Sequence, residues 1–465
     1  MRVLLLILTS CLLACPGIMA QNPGKDARPS FLFLLVDDLG WADLGCYGST
    51  FHETPHLDRL AREGVRFTDA YTAASICSPT RASIMTGKHP VRVNITDWIP
   101  GSSGKGQKLR TPVDKHHLPL EEVTIAEALK EGGYSTFYTG KWHLGGKPFS
   151  PDKQGFDEYY DPHRDPSKGS PGRGKTTGRK HATTDLTRET KEFIHRNSGR
   201  PFFACLSYYD IHTPIIAERK YEAHYNRKAA MLGPSPRPIT EHDGLSRPRQ
   251  DNAALASMVQ AVDDSVGDLV QHLKSLGILE NTYVFFFSDN GGLCTKRSVG
   301  PGCNLPLRAS KGWLYEGGIR VPLIVRQPGK KNAGSQPTDC VLSTDIYPTL
   351  LALAALPPRP SQHADGSSFK NLLTGEKTNT PPRSLYWHYP HYHGSAWTPG
   401  AAIRHGDWKL IEFYHYGKVE LYNLREDLGE ANDLAAKQPE RTRELRQKLK
   451  DWQRDMGARM PLTRP

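Results

Sequence analysis

Two short polar pairs stand at the ends of apolar runs. Asp37-Asp38 follows Phe31–Val36 (FLFLLV), and Asp289-Asn290 follows Thr282–Ser288 (TYVFFFS). A continuous apolar run of this length suits a strand buried on both faces of a parallel sheet. If the two strands lie side by side, four oxygen-bearing groups converge, and such a set would hold a hard divalent cation, Ca2+ or Mg2+. A single Asp-Asp pair often does no more than start a loop; two pairs at two buried strand ends carry more weight. Cys77-Ser78-Pro79-Thr80-Arg81 reads as a helix start, with Ser78 as N-cap, Pro79 at the first helical position and Gly87 as the stop. Cys77 then sits at a helix mouth, where backbone N–H groups and the dipole favour an anion, with Arg81 one turn inside. Lys141 and His143 follow one predicted strand, His212 follows another, and Lys311 lies in Arg308-Ala309-Ser310-Lys311-Gly312. With a metal, these outline a pocket for a tetrahedral anion, the histidines handling protons and the lysines stabilising charge. A plain thiolate nucleophile at Cys77 is the alternative, since a helix mouth lowers a thiol pKa. Hard carboxylate ligands suit it poorly.

The elements that must position these residues alternate. Strands are predicted over 31–36, 135–139, 202–208, 282–288 and 320–326, and helices over 124–131 and 252–276. That order implies an α/β fold with a large mixed, mostly parallel sheet sandwiched by helices, and polar residues recur beyond the C-terminal strand ends, where such sheets bind ligands. The stretch 161–188, rich in Gly, Pro, Ser, Lys and Arg, reads as a surface insertion flanking the site or as a plain linker. After Pro357-Pro358 and Pro381-Pro382 the character changes. Hairpin strands over 401–413 and 419–424 and a charged helix over 438–456 predict a small C-terminal α+β domain with an antiparallel sheet. The expected boundaries are a leader over 1–20, a catalytic domain over 28–375 and the C-terminal subdomain over 376–465.

The composition is globular, with 37% hydrophobic and 23% charged residues, which excludes a disordered chain. The formal net charge of +11 suits an anionic partner or, equally, a solvated basic surface. Residues 1–20 (MRVLLLILTSCLLACPGIMA) read as a secretory leader, too short to span a bilayer; Leu12-Leu13-Ala14-Cys15 also allows a lipid anchor. No other stretch reads as a membrane span. Export to the periplasm or medium follows, with a bacterial source favoured. Past the leader, Cys46, Cys77, Cys205, Cys294, Cys303 and Cys340 remain; an oxidising compartment permits disulfides, and Cys294 with Cys303 would close a short loop.

Cys77-Ser78-Pro79-Thr80-Arg81 with Thr86-Gly87 resembles the signature of the type I sulfatases, in the alkaline-phosphatase-like superfamily. The resemblance runs from Leu32 to about Trp452 and includes Asp37-Asp38, Gly140-Lys141-Trp142-His143, His212-Thr213-Pro214, Asp289-Asn290-Gly291-Gly292 and Lys311-Gly312. Ala309-Ser310 departs from it, since glycines are common there. The family implies that Cys77 is oxidised to Cα-formylglycine by a maturation enzyme, formylglycine-generating or anaerobic, that reads C-x-P-x-R. It implies one Ca2+ held by Asp37, Asp38, Asp289, Asn290 and the modified Cys77. Arg81 and Lys141 would hold the hydrated aldehyde, His212 and Lys311 the sulfate, and His143 would take the proton that lets sulfate leave. The implied substrate is a sulfate ester of a carbohydrate, such as a glycosaminoglycan or algal-type polysaccharide; no nucleic-acid partner is implied. Tyr386-Trp387-His388-Tyr389-Pro390-His391-Tyr392-His393 suits stacking on a sugar, with His391 and His393 as candidate contacts, or an aromatic domain interface. The rival readings are a phosphonate or phosphate ester hydrolase of the same superfamily, and a catalytically dead polyanion-binding protein.

Overall fold

The structure is a computed structural model that describes residues 28–102, 106–163, 182–376 and 383–464. The expected leader and positions 164–181 of the expected insertion lie outside the described residues. Seven strands form the large sheet: β1 (Ser30–Val36), β2 (Val65–Phe67), β3 (Ser135–Gly140), β4 (Glu158–Tyr160), β5 (Phe202–Ser207), β6 (Thr282–Ser288) and β7 (Leu323–Arg326), in the order β2-β7-β6-β1-β5-β3-β4. The five strands from β6 to β4 are parallel, and β7 runs antiparallel to both β6 and β2.

β1 lies at the centre because both of its faces are apolar. Phe31, Phe33 and Leu35 face one core and Leu32, Leu34 and Val36 face the other. The first core is closed by α2 (Cys77–Thr86), α3 (Ile125–Glu131) and α6 (Ile346–Leu353); the second by α1 (Pro55–Glu63), α4 (Ala182–Arg196) and α5 (Ala253–Ser275). Local signals set the helix ends. Thr124 accepts from Glu127 N–H while the Glu127 carboxylate accepts from Thr124 N–H, a capping box that contributes about 1 kcal/mol. Both oxygens of buried Asp263 accept from His56 and Leu57 N–H at the start of α1.

A second, antiparallel sheet of β8 (Ser384–Tyr389), β9 (Gly400–His405), β10 (Trp408–Phe413) and β11 (Lys418–Asn423) follows. One face packs Trp387, Tyr389 and Phe413 against Tyr71, Trp313 and Tyr315 of the preceding chain. The other is covered by α7 (Pro439–Asp455) through Leu445 and Leu449.

Three local expectations are corrected. Ser78 is not the N-cap: α2 starts at Cys77 with Ile76 as cap, and the Ser78 hydroxyl accepts from Ile99 N–H instead. The aromatic run at Tyr386–Tyr389 is strand β8, with Trp387 and Tyr389 almost fully buried, so stacking on a sugar is closed to them. Cys294 and Cys303 are both free thiols, and Cys294 Sγ donates to Ala309 O at 2.9 Å.

Candidate functional site

The C-terminal ends of β1, β3, β5 and β6 deliver their loops to one place. Asp37 and Asp38 leave β1, Lys141 and His143 leave β3, His212 comes shortly after β5, and Asp289-Asn290 leave β6. The mouth of α2 adds Cys77, and the segment before β7 adds Lys311. Close backbone contact holds the β6 loop. A Cβ on Gly291 would lie 1.8 Å from Gly317 O, and one on Gly318 2.0 Å from Trp313 O, so neither position has room for a side chain.

These charges are buried and paired. Lys141 Nζ lies 2.5 Å from Asp37 Oδ2 and 3.5 Å from Cys77 Sγ. Lys311 Nζ lies 2.7 Å from Asp38 Oδ1, which also accepts from Asn290 Nδ2 at 2.8 Å. Arg81 grips Asp289 Oδ2 through Nε at 2.9 Å and Nη2 at 2.7 Å, while Nη1 donates to Ser207 Oγ and to Lys141 O. His212 Nε2 is 3.8 Å from Asp38 Oδ2, and its Nδ1 meets Thr213 O at 2.7 Å. Two buried acceptors, Asp37 Oδ1 and Asn290 Oδ1, have no hydrogen-bond partner among the described residues. Buried polar atoms are normally satisfied, and these two stand beside the cavity's charged cluster, where a ligand could meet them. One ligand atom each from Asp37, Asp38, Cys77 and His212 lie within 4.8 Å of one another. Asp37 and Asp38, with Asn290 Oδ1 close by, supply the hard oxygens that Ca2+ or Mg2+ takes, whereas the Cys77 sulfur suits neither ion unless it is replaced.

The electrostatics separate the carboxylates. Burial alone would raise Asp37, but Lys141, His212, Arg81 and Lys311 together hold it well below the usual carboxylate range. Asp38 is lowered in the same way, Lys311 and His212 outweighing burial. Asp289 goes the other way: burial and the neighbouring Asp37 push it up to about 6 despite Arg81. Burial pushes the Cys77 thiol up to about 11 even though Lys141 and Lys311 oppose it. An unmodified Cys77 is therefore a protonated thiol near neutral pH, which disfavours the plain thiolate nucleophile. His143 Nε2 meets Ile99 O at 2.7 Å; burial, Lys141 and Arg81 hold the ring well below the ordinary histidine range.

The cluster floors a cavity of about 600 Å³. Asp37, Cys77, Lys141, His143, His212, Lys311 and His393 line it; Asp38, Asp289 and Asn290 sit beneath. His391 does not line it. It is buried, with Nε2 2.9 Å from Thr96 Oγ1, so the expected sugar contact there is corrected. His393 does line it, beside Ser395 Oγ at 2.8 Å, and burial lowers its ring to about 3. Sequence reasoning gave no role to Trp98, His163, Tyr209, Asp210 or Lys296 on the same wall. Asp210 stands two residues before His212, the one signal that was available. A larger groove of about 690 Å³ between α4 and α5 is lined by paired surface charges such as Lys191–Asp268 and holds none of the cluster. Ala309 takes φ 57°, a left-handed backbone that costs a non-glycine residue about 1 kcal/mol, which accounts for the glycine preferred at this position.

Comparison with known proteins agrees with this arrangement. The Sulfatase family model matches residues 29–356, and the model described as N-sulphoglucosamine sulphohydrolase, C-terminal, matches residues 309–456. A sulfatase of Formosa agariphila is 31% identical, with 95% of this chain and 92% of that protein covered. Human N-acetylgalactosamine-6-sulfatase is 33% identical, covering 77% of this chain and 68% of its own length. The solved structure of Ps i-CgsB in complex with k-i-k-neocarrahexaose superimposes with a TM-score of 0.73 at 29% identity, covering 91% and 92% of the two chains. The cluster at the strand ends thus lies inside a match that spans most of the chain, and the chain belongs to the sulfatase family of sulfuric ester hydrolases.

Proposed function

We propose that this protein is an exported sulfatase that removes sulfate from a carbohydrate, using a formylglycine made from Cys77 and one Ca2+. The carrying observation is the pair of bare, buried acceptors, Asp37 Oδ1 and Asn290 Oδ1, in the charged cluster with Cys77 at the floor of the cavity. Asp37, Asp38, Asp289, Asn290 and the modified Cys77 would hold the cation. When present, the cation and the hydrated aldehyde would supply Lewis-acid polarisation and a hydroxyl nucleophile.

The chain's own residues do the rest. Three carboxylates (Asp37, Asp38, Asp289) face three fixed cations (Arg81, Lys141, Lys311), so the cradle is near neutrality by itself. A divalent cation would make it positive by two, and a sulfate ester, a monoanion, would offset half of that. Burial would lower Lys311, but Asp38 and Cys77 raise it, so it stays charged to bind a sulfate oxygen. His212 is lowered, burial outweighing Asp37 and Asp38. Its ring is 34% exposed, so an incoming ester can meet it, and it would have to take up a proton before it could give one to a leaving alcohol. Arg81 fixes Asp289 and the backbone of Lys141 together. His143 Nδ1, buried without a partner among the described residues, is the free acceptor position of a neutral ring, and Lys141 and Arg81 keep it a weak base until an anion offsets them.

A carbohydrate suits the outer cavity: Trp98 and Tyr209 offer flat faces, and Lys296 has no acidic partner among the described residues, so it can meet another anionic group of the chain. The relatives named for N-acetylgalactosamine-6-sulfate and the neighbour bound to neocarrahexaose support the same class. Among the described residues no helix is long and apolar enough to cross a membrane. The test is turnover of nitrophenyl sulfate against nitrophenyl phosphate, with the mass of the Cys77 peptide read on the same sample. Faster sulfate turnover with an aldehyde-bearing peptide is expected; faster phosphate turnover, or full activity with an intact thiol, overturns the reading.

A further inference from the structure

The run Tyr386–His393 is left without a task once Tyr389 and His391 are found buried. Its contacts supply one. Tyr389 OH donates to Asp97 Oδ1 at 3.0 Å, His391 Nε2 lies 2.9 Å from Thr96 Oγ1, and Tyr392 O accepts from Ser102 Oγ at 3.1 Å. All three grip the turn from Thr96 to Ser102. The turn is also tied internally: Asp97 accepts from Trp98 N–H at 2.9 Å and from Ser102 N–H at 3.1 Å, and Asp114 accepts from Thr96 and Asp97 N–H. From the other side, buried Ser78 accepts from Ile99 N–H at 3.1 Å.

The peptide groups flanking Ile99 therefore point in fixed directions, and one of them holds His143. The Ile99 carbonyl can only accept, so the ring nitrogen 2.7 Å away, Nε2, carries the hydrogen. In the neutral ring Nδ1 is then the bare acceptor, and it is buried without a partner among the described residues. His143 itself sits on a left-handed backbone, φ 58°, a conformation that persists only where the surrounding structure holds it.

We propose that the turn from Thr96 to Ser102 is the device that orients His143, and that Ser78 and Tyr389 are positioning residues acting through it. The proposal rests on the sulfatase reading for the role of His143. It gives Ser78, the residue next to Cys77, a duty separate from maturation, since Ser78 occupies a variable position of C-x-P-x-R. It also makes the C-terminal sheet part of the catalytic apparatus without touching substrate.

The experiment uses the full chain from a host that converts Cys77, with activity on nitrophenyl sulfate expressed per converted Cys77, counted by peptide mass. Ser78→Ala and Tyr389→Phe are expected to lower kcat by roughly tenfold to a hundredfold, the range that slight misplacement of a catalytic group produces, with KM within about twofold. Ser78→Thr, which keeps the hydroxyl, is expected to recover most of kcat. Ring 15N NMR of His143, assigned with His143→Gln, is expected to show the Nε2–H tautomer in the parent and its loss or mixing with the other tautomer in Ser78→Ala. Unchanged kcat in both variants, equal losses in Ser78→Ala and Ser78→Thr, or a parent tautomer with hydrogen on Nδ1 overturns the proposal. A parent that turns over no sulfate ester would sink the sulfatase reading instead, while the NMR result still decides the orientation of the ring.

Discussion

Two of the buried networks of charge among the described residues differ in one instructive respect. Beneath the C-terminal sheet, Lys409 Nζ lies 2.8 Å from both Glu316 Oε1 and Glu430 Oε1, with all three side chains fully buried. Glu316 Oε2 accepts from Tyr71 OH at 2.6 Å and pairs with Arg320, and Glu430 Oε2 accepts from Glu316 N–H. Every carboxylate oxygen of Glu316 and Glu430 has a donor or a cation beside it, Glu430 Oε1 through the Lys409 ion pair alone. At the strand ends of the large sheet the pairs are as short and as buried, yet Asp37 Oδ1 and Asn290 Oδ1 are bare and a cavity opens above them. A buried ion pair alone marks only structure. Unmet valence next to space marks a site. Glu316 falls to about 2, where Lys409, Arg320 and Arg404 outweigh burial, so strong perturbation of a carboxylate does not separate the two networks either.

The contrast can be broken in a graded way. The largest effect is expected from Asp38→Asn, which removes a ligand and leaves Lys311 facing a neutral group: nitrophenyl sulfate turnover should fall by about a thousandfold or more, with calcium content lost in parallel. Retained calcium and turnover would put the site elsewhere. Lys409→Met, in the saturated network, should cost about 3–5 kcal/mol in denaturant unfolding, because it leaves two carboxylates buried without their cation. Its kcat per folded molecule should match the parent; a matching loss of kcat would erase the distinction between the networks. On the outer wall, Lys296→Ala should raise KM for a sulfated oligosaccharide by several-fold more than for nitrophenyl sulfate, a partly exposed charge contact being worth about 1 kcal/mol. The smallest change separates two histidines: His393→Gln should shift KM modestly, whereas His391→Gln should register mainly as a drop in Tm.

Much of this was legible before the fold. Asp37-Asp38 and Asp289-Asn290 could be read because a strand buried on both faces leaves an unmistakable apolar run, and polar residues at its C-terminal end have one place to go. β1 and β6 pair in full register from Ser30–Thr282 to Val36–Ser288, which brings the two polar pairs together. The antiparallel course of β7 was not legible, since a short apolar strand carries no sign of its direction. The Tyr386–Tyr389 run misled because aromatic residues serve a core and a sugar equally well; the alternation that puts Trp387 and Tyr389 inward was the better signal. Ser78 looked like an N-cap on residue type alone, whereas its partner, Ile99, is 21 residues away and no spacing rule reaches it. Cys294 and Cys303 are close in sequence, but proximity says nothing about where the thiols point.

The contact of Gly291 with Gly317 has a consequence for how such a protein can change. Loops that meet backbone to backbone at 1.8 Å from a would-be Cβ tolerate no substitution, and Gly291 N–H donating to Gly318 O at 3.0 Å ties the same two segments again. The Asp289-Asn290 loop and the Lys311 segment must therefore be inherited as a unit. Divergence toward new substrates is left to other lining positions, where Ile216, Leu293 and Lys296 are only partly buried and carry side chains that can be exchanged one at a time. A mutational library over this chain should divide along that line, with silence at the glycines and altered sugar preference at the wall. The chemistry would be frozen by geometry while the choice of substrate stays free to evolve.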